Sequence, residues 1–407
     1  MSAIRGTGGD LAARDRVARA GWSRVAEPGD PVAAAVIDAL GAVEAWEWLQ
    51  EAARCEGSLL VPVSGLSTGA SARLARSVGG WSTRLGSADP HRDLAHLEAL
   101  GGTLLVPGDE RWPEALGDLG PAAPWCLWVV GGHDLRTMTS TAVSVIGARA
   151  ASGYGEHVTA QLAGGLADAG RTVVSGGAFG IDAAAHRAAL ASQGCTVAVL
   201  AGGLDRPYPV GNARLLSAVA QAGALVSEVP PGSAPTRSRF LLRNRLIAAL
   251  SRATVVVEAA WRSGALSTAG HAAALLRPVG AVPGPVTAAT SAGCHRLLRD
   301  GRAVCVTDVA EVLELVGPLE VTSGPEDLVL LDGEARRVLD ALPVRHGCTP
   351  AYLTRPAGLA LPEVLACLGT LESTGHARQD GGRWSRTRRG TGAHDDELVP
   401  RASEPSP

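Results

Sequence analysis

The middle of the chain alternates short β-branched runs with longer segments of helical periodicity. The predicted strands are Val143–Gly147, Thr172–Gly176, Thr196–Gly202, Leu225–Val229, Thr254–Glu258, Gly280–Pro283 and Val304–Thr307. The predicted helices lie between them, at about 155–169, 180–192, 212–222, 240–250, 265–276, 291–299 and 308–316. Strands that alternate with helices form βαβ units, and right-handed crossovers bury the sheet between two helical layers. The pattern therefore predicts an α/β domain built on a doubly wound parallel sheet.

The segments before this domain have a different pattern. Residues 1–20 are small and charged, which predicts a flexible N-terminus. Residues 21–105 carry helical patterns, and we interpret them as a small helical domain. Residues 106–141 are rich in Pro and Trp and are interpreted as a connector within the sheet domain, which spans 106–317. The connector tryptophans are assigned to packing rather than to ligand stacking.

The segments after this domain predict a second small unit. Residues 318–327 have low hydrophobicity and are interpreted as a linker. Residues 328–388 contain helical patterns and then two short runs around Asp380-Gly381-Gly382, a hairpin signal. Helices followed by a hairpin predict a winged-helix domain. Residues 389–407 are acidic and rich in Ser and Pro, which predicts a disordered tail.

The charge is small overall but unevenly distributed. The 407 residues have a formal net charge of −3, which excludes a protein that coats DNA through its overall positive charge. Residues 138–317 nevertheless hold 15 Arg against 10 acidic residues, which indicates an anionic partner for this domain. All 37 basic residues are arginine. The absence of lysine excludes Schiff-base chemistry, a Walker lysine and a lysine base.

Several classes of site and location are not supported by the sequence. The seven cysteines are widely spaced without a CxxC pair, which is typical of reduced thiols rather than of metal or disulfide sites. The scattered histidines likewise predict no metal site. The sequence contains no apolar leader and no 18-residue apolar run. We therefore expect a cytoplasmic protein without a membrane span.

Glycine and small hydroxyl residues follow most of the predicted strands. Ligands bind outside the carboxyl ends of the strands in an open parallel sheet, and glycines there expose backbone N–H groups to anions. The first turn is not GxGxxG, because Arg149 stands where a pyrophosphate needs the second glycine. There is no GxxxxGK[ST] motif either. The turns predict a phosphate-bearing ligand without a nucleotide cofactor.

Arginines accompany these turns. Arg149, Arg206 and Arg262 lie in or beside them, and another group surrounds Phe240: Arg237, Arg239, Arg243 and Arg245. Guanidinium groups pair with phosphate, and a base stacked on Phe240 would contribute about 1–3 kcal/mol. The alternative for Phe240, which we favour at this point, is a core position at the start of its helix.

One pair of side chains could serve catalysis. Asp182 and His186 are four residues apart on one predicted helix and could combine a base with an orienting group. The favoured interpretation is structural: Asp182 caps the helix, and His186 packs or binds the adjacent loop.

Motifs across about 140–317 resemble those of the DNA-processing protein A family (DprA, also called Smf). They are Gly147-Ala148-Arg149, Ser175-Gly176-Gly177-Ala178-Phe179-Gly180-Ile181-Asp182, Gly203-Leu204-Asp205-Arg206-Pro207-Tyr208-Pro209, Arg243-Asn244-Arg245-Leu246-Ile247-Ala248, Ser263-Gly264 and Gly293-Cys294-His295. The resemblance implies an extended Rossmann-like domain between a helical SAM-like N-terminal domain and a C-terminal winged helix. It also implies a protein without catalytic activity or cofactor. Such a protein binds and protects single-stranded DNA and hands it to the RecA recombinase during natural transformation, with single-strand binding protein as a further candidate partner.

The resemblance also assigns residues. It implies that Arg149 and Arg206 contact DNA phosphates. The full DNA-binding set expected from motifs and resemblance is Gly147, Arg149, Ser175, Gly176, Gly177, Arg206, Phe240, Arg243, Asn244, Arg245, Ser263 and Gly264. A homodimer is expected through His295, Leu297 and Leu298, although apolar residues there could instead belong to the core. Ala148 departs from the serine that the family often has at its position.

Two other functions stay open at the level of sequence. One is a nucleotide-binding enzyme of the LOG-type phosphoribohydrolase kind, although its Pro-Gly-Gly-x-Gly-Thr signature is absent here. The other is a protein-interaction adaptor that works through the winged helix. Its recognition helix, at about 361–373, has Glu363 and Glu372 as its charged residues and no arginine.

Overall fold

The computed structural model describes residues 4–54, 68–317, 333–343, 347–373 and 376–386. The chain divides into two compact units, residues 1–318 and residues 319–407. Each unit has its own hydrophobic core.

Helices open the first unit. They are α1 (Ile4–Val25), α2 (Pro31–Leu40), α3 (Ala42–Arg54), α4 (Thr68–Leu85) and α5 (Pro90–Ala99). The prediction of a flexible segment over residues 1–20 is wrong where the structure describes it. Residues 4–20 belong to α1, and within them Ala18 and Ala20 are almost fully and fully buried. The small residues of this segment pack between helices, a role that their polar neighbours conceal in the sequence.

Tryptophan packing and capping explain the helical region. The Trp22 ring meets the rings of Trp46 and Trp81 edge-on, at centroid distances of 6.1 and 5.2 Å. The Asp30 carboxylate accepts a hydrogen bond from the Val32 N–H at 2.9 Å, and Pro31 occupies the first turn. The region therefore has a core of its own, as its pattern predicts, whereas its assignment as a SAM-like domain stays a prediction.

A nine-stranded sheet forms the centre of the first unit. Its strands are β1 (Gly102–Leu105), β2 (Leu127–Val130), β3 (Val143–Ile146), β4 (Val173–Ser175), β5 (Thr196–Leu200), β6 (Ala224–Ser227), β7 (Ala253–Val256), β8 (Val279–Ala281) and β9 (Val304–Cys305). The order across the sheet is β1-β2-β6-β5-β4-β3-β7-β8-β9. Strands β3 to β9 are parallel to one another. The Rossmann-like α/β fold is thus confirmed.

The sheet is not wholly parallel, which corrects the sequence analysis. Strand β1 pairs antiparallel with β2, and β2 pairs antiparallel with β6. These two strands come from the end of the predicted helical domain and from the predicted connector. Trp128 on β2 is fully buried, and its indole N–H donates to the Ser23 hydroxyl at 3.2 Å. The connector is therefore part of the sheet, and its Trp128 packs as expected.

Helices cover both faces of this sheet. They are α6 (Leu135–Ser140), α7 (Gly153–Asp168), α8 (Ile181–Ala191), α9 (Ala213–Ala222), α10 (Arg237–Ala249), α11 (Ala265–Ala274), α12 (Ala292–Arg299) and α13 (Val309–Val316). From β3 the chain proceeds outward to β6 and then returns to β7, on the other side of β3. This reversal creates a crevice at the carboxyl ends of β3 and β7, where open α/β sheets bind ligands.

The second unit contains three helices and a hairpin in its described residues. These are α14 (Gly333–Ala341), α15 (Pro350–Ala357), α16 (Leu361–Ser373), β10 (Ala377–Asp380) and β11 (Arg383–Arg386). Gly381 and Gly382 have φ of +53° and +76°, as a two-residue hairpin turn requires. The order agrees with the predicted one, and the winged-helix assignment stays a prediction. The predicted linker 318–327 and tail 389–407 lie outside the described residues.

Candidate nucleic-acid interface

A cavity of about 790 Å³ opens at the carboxyl ends of β3 and β7. The turn after β3, the first turns of α10 and the start of α11 form its walls. Site residues predicted from the sequence that line it are Gly147, Arg149, Phe240, Arg243, Asn244, Ser263 and Gly264. The fold therefore brings together turns from well-separated parts of the chain.

The buried carboxylate of Glu258 shapes the loop that carries Arg149. It accepts hydrogen bonds from the Ser152 N–H at 2.9 Å, the Ser152 hydroxyl at 2.6 Å and the Thr290 hydroxyl at 3.0 Å. Gly155 is required beside it, because a Cβ there would overlap the carboxylate. Glu258 was missed as a site residue. Its only sequence signal is an acidic residue at the end of an apolar strand.

Aromatic rings form a partly exposed platform at the cavity. The guanidinium carbon of Arg149 lies 4.8 Å from the centroid of the Phe240 ring. The Tyr208 ring lies beside it, 5.8 Å away between centroids, and Tyr208 is half-exposed. Phe240 is only partly buried and lines the cavity, so the core position favoured from the sequence is wrong. Tyr208 was missed as a site residue, because its strand end was interpreted only as a glycine-rich turn.

Arg243 is a buried cation in the cavity wall. Its Nη1 donates to the Val199 carbonyl at 2.7 Å, and Gly176 leaves the space that its guanidinium fills. Burial lowers the pKa of Arg243 to about 10, against the opposing effect of Asp182. The side chain therefore stays positively charged at neutral pH. Gly176 thus gives room to a cation, and it also lines a smaller pocket with Arg206 and Phe240.

Other predicted DNA contacts are structural. The Ser175 hydroxyl is fully buried and donates to the Val145 carbonyl at 2.7 Å. Arg245 forms two hydrogen bonds of 2.6 Å with the carboxylate of Glu228, and both side chains are buried. Gly177 is buried, with φ of +69°. Ser175, Gly177 and Arg245 are therefore corrected to residues that support the site from inside, because none of them faces solvent.

Exposed arginines surround the mouth of the cavity. Arg149, Arg237 and Arg262 are exposed and line it. The Arg206 side chain is 81% exposed, with its Nε 3.6 Å from the Asp205 carboxylate. Arg239, in contrast, forms a bidentate pair with Glu27 at 2.8 and 3.1 Å. The mouth is thus basic, whereas Arg239 joins α10 to the helical region.

The cavity also has uncharged polar groups. The Asn244 amide donates to the Gly264 carbonyl at 3.3 Å, which connects α10 with the loop after β7. The Ser263 hydroxyl accepts from the Ala265 N–H at 3.3 Å and so supports the start of α11. Gly264 is exposed. These groups shape the wall beside Arg262.

Asp182 and His186 are structural, as the sequence analysis favoured, but Asp182 does not cap α8, which begins after Gly180 without a side-chain cap. Both are buried, and an Asp182 oxygen accepts from the Ala178 N–H at 3.4 Å. The Thr196 hydroxyl donates to the Val173 carbonyl at 2.7 Å, so it must accept from Nδ1–H of His186 at 2.8 Å. Burial lowers the pKa of His186 to about 3. A neutral imidazole enclosed in this way is not placed to act as a base on a ligand.

Replacing His186 by Asn should make the free energy of unfolding less dependent on pH between pH 7 and pH 5. Unfolded His186 takes up a proton near pH 6.5, whereas the folded residue stays neutral down to about pH 3. The neutral His186 therefore makes its full contribution to the free energy of unfolding above pH 6.5. This contribution decreases as the pH falls, and at pH 5 it is smaller by about 2 kcal/mol. Denaturant unfolding at pH 7 and pH 5 should show this loss in the wild type and not in His186→Asn.

The exposed His157 on α7 provides the control for this comparison. His157→Asn should keep the wild-type pH dependence. Burial raises the pKa of Asp182, which acts in the opposite direction, but it is present in all three proteins. Equal losses in the wild type and His186→Asn would contradict the assignment of a buried neutral imidazole.

The residues assigned to a dimer contact lie on α12. Leu297 is buried in the core of its own chain, which corrects that assignment. Leu298 is partly buried and packs against the same core. The His295 ring nitrogen Nε2 lies 2.9 Å from the Gly284 carbonyl oxygen. His295 and Leu298 stay candidates for a contact between copies.

The described residues contain no cluster of His, Cys, Asp and Glu that could hold a metal ion. None of the helices in this part of the chain has the length and apolar character of a membrane span. The cysteines described by the structure, all except Cys55, form no disulfide with one another.

Comparison with known proteins bears on the family to which the chain belongs. The profile of the family described as "DNA recombination-mediator protein A" matches residues 103–317. The chain is 45% identical to a "Putative DNA processing protein DprA" of Mycobacterium tuberculosis, over 93% of this chain and 96% of that protein. It is 38% identical to the "Protein Smf" of Escherichia coli, over 70% of this chain and 78% of that protein.

A solved structure supports the same assignment. The crystal structure of DNA processing protein A from Streptococcus pneumoniae superposes with a TM-score of 0.58 at 30% identity. The match covers 74% of this chain and 97% of that one. The family is one of DNA-binding recombination mediators and not of enzymes, so the phosphoribohydrolase alternative is not carried further. This chain has the sheet and the basic cavity described above, and the family profile, the relatives and the solved structure all match it. The chain therefore belongs to the DprA family of DNA recombination mediators.

Proposed function

We propose that this protein binds single-stranded DNA in the cavity at the carboxyl ends of β3 and β7. The observation that carries the proposal is the partly exposed Phe240 ring in the cavity wall, with the guanidinium carbon of Arg149 4.8 Å from its centroid. A base can stack on such a ring, and the adjacent arginines can neutralise the phosphates of the same DNA strand. Both interactions are independent of sequence, because every base has a π-face and every nucleotide has a phosphate.

The aromatic platform in the cavity wall favours a single strand over a duplex. The platform of Tyr208 and Phe240 lies in the wall of the cavity, where a base must leave its stack to reach it. In double-stranded DNA the bases are paired and stacked, and the phosphates alone would meet the exposed arginines. The aromatic platform therefore adds affinity only for unpaired nucleotides.

The proposed role is that of a mediator for RecA. The protein would hold incoming single-stranded DNA in the cytoplasm as a homodimer, protect it and load RecA onto it during natural transformation. Single-strand binding protein, which covers such strands, is a further candidate partner. The second unit is proposed to be a winged helix that contacts other proteins.

A strand-exchange assay tests this role. RecA is incubated with single-stranded DNA that is already covered by single-strand binding protein, with and without this protein. We expect strand exchange to start sooner and to give more product when the DprA-family protein is present. The reason is that RecA then no longer has to displace the single-strand binding protein unaided. An Arg149→Ala variant should not give this gain. Unchanged exchange with the wild-type protein would overturn the role as a mediator.

A further inference from the structure

The loop after β7 carries an exposed aromatic residue that lies outside the cavity. Trp261 is 53% exposed. It directly precedes Arg262, whose side chain lines the cavity. A ligand that leaves the cavity past Arg262 therefore meets an indole ring within one residue of the cavity wall.

Helix α12 completes the surroundings of this ring. The Gly293 N–H donates to the Ala259 carbonyl at 2.7 Å. A Cβ at Gly293 would lie only 2.7 Å from that oxygen and 2.9 Å from the Ala260 carbonyl, so glycine allows the close approach. About one turn further along α12, the guanidinium carbon of Arg296 lies 5.2 Å from the centroid of the Trp261 ring. The arrangement repeats that of Arg149 and Phe240.

The charge around the ring is positive. Arg296 and Arg299 both reach the carboxylate of Asp300, at 3.5 and 3.4 Å, so two cations share one anion. Arg262 adds an exposed cation on the other side, toward the cavity. An exposed indole with arginines around it offers a stacking surface for a base and partners for the adjacent phosphates.

We propose that a single strand leaving the cavity continues over Trp261, which stacks a base while Arg262 and Arg296 meet phosphates. This inference rests on the proposed function, because it extends the path of the same strand. A second copy of the chain is the competing occupant. A twofold contact centred here would place arginines against arginines, which disfavours it. Arg296 also points about 100° away from His295 around α12, so the candidate dimer contact lies on another side.

Binding of oligothymidylates of different length tests the proposal, with lengths of about 4, 8 and 16 nucleotides that span known single-strand site sizes. We expect Trp261→Ala to bind the shortest oligonucleotide like the wild type. Its affinity for the longest should fall about 5- to 100-fold, the loss of one stacked base. Trp261→Phe should keep most of the affinity. The control is Leu276→Ala, because Leu276 is 93% exposed between α11 and β8, at the amino ends of the strands and away from Trp261.

Three results would overturn the proposal. Trp261→Ala could bind every length like the wild type, or it could lose affinity equally for every length, which would place Trp261 within the main site. It could also change the sedimentation of the free protein, which would assign Trp261 to a contact between copies. Failure of the proposed function is distinguishable from these results, because then the wild type would bind none of the oligonucleotides or Arg149→Ala would bind them all normally.

Discussion

Replacing Arg149 and Arg206 together by Ala should greatly weaken binding of single-stranded DNA. Both side chains are exposed, and Arg149 also covers the Phe240 ring. Each charge-assisted bond to a phosphate contributes about 1.5–3 kcal/mol, which corresponds to roughly ten- to a hundredfold in affinity for each arginine. Fluorescence anisotropy with a labelled oligothymidylate measures the loss.

The salt dependence of the same binding gives a second, independent readout. A single strand that loses two phosphate contacts releases fewer counterions on binding, so the slope of log affinity against log salt should become shallower by about 1.4. Arg187→Ala is the matched control, because Arg187 is exposed on α8 and does not line the cavity. If the double variant bound DNA with wild-type affinity and slope, the cavity would not be the DNA site.

Replacing Glu228 by Gln should strongly destabilise the first unit. The Glu228 and Arg245 side chains are only 8% and 4% exposed. Arg245 also donates to the Ala122 carbonyl at 2.9 Å, which joins α10 to the segment between β1 and β2. Removing one partner leaves a buried cation without its counterion, which costs about 3–5 kcal/mol. Denaturant unfolding of the full chain, followed by far-UV circular dichroism, measures the change.

A double variant separates the lost charge pair from lost packing. Glu228→Leu combined with Arg245→Met removes both charges and keeps apolar volume, so it should be less destabilised than Glu228→Gln alone. A matched exposed pair serves as reference: Arg14 and Glu47 are more than half exposed, and Glu47→Gln should cost less than about 1 kcal/mol. If Glu228→Gln were as mild as Glu47→Gln, the pair would not stabilise this unit.

The alternation of strands and helices was predictable because it is a local property. Each strand from β3 to β8 is a short run of mostly β-branched and small residues buried on both faces, so its hydrophobicity does not depend on the partner strand. Strands β1 and β2 were not predicted. Gly102–Leu105 directly follows a helical region, and Leu127–Val130 lies among prolines, so neither has the spacing of a βαβ unit. Their pairing with β6 is decided by tertiary contacts such as that of Trp128 with Ser23.

The arginines of α10 show where prediction of the site ends. At about 100° per residue, Arg237, Arg239, Arg243 and Arg245 point to several sides of one helix. Their spacing therefore gives no single polar face. The structure exposes Arg237, pairs Arg239 with Glu27, buries Arg243 beside Gly176 and pairs Arg245 with Glu228. The partners come from distant parts of the chain, so no local pattern could rank these arginines.

The sequence by itself determined the doubly wound sheet, and it predicted that an anionic ligand binds at the carboxyl ends of the strands. These follow from periodicity, from glycines at strand ends and from an excess of arginine in one domain. Only the tertiary structure decided which cations and rings face that ligand. Exposure of a side chain depends on what packs against it, and here those neighbours are Glu27, Glu228 and Asp182, which are far from α10 in sequence or on other elements.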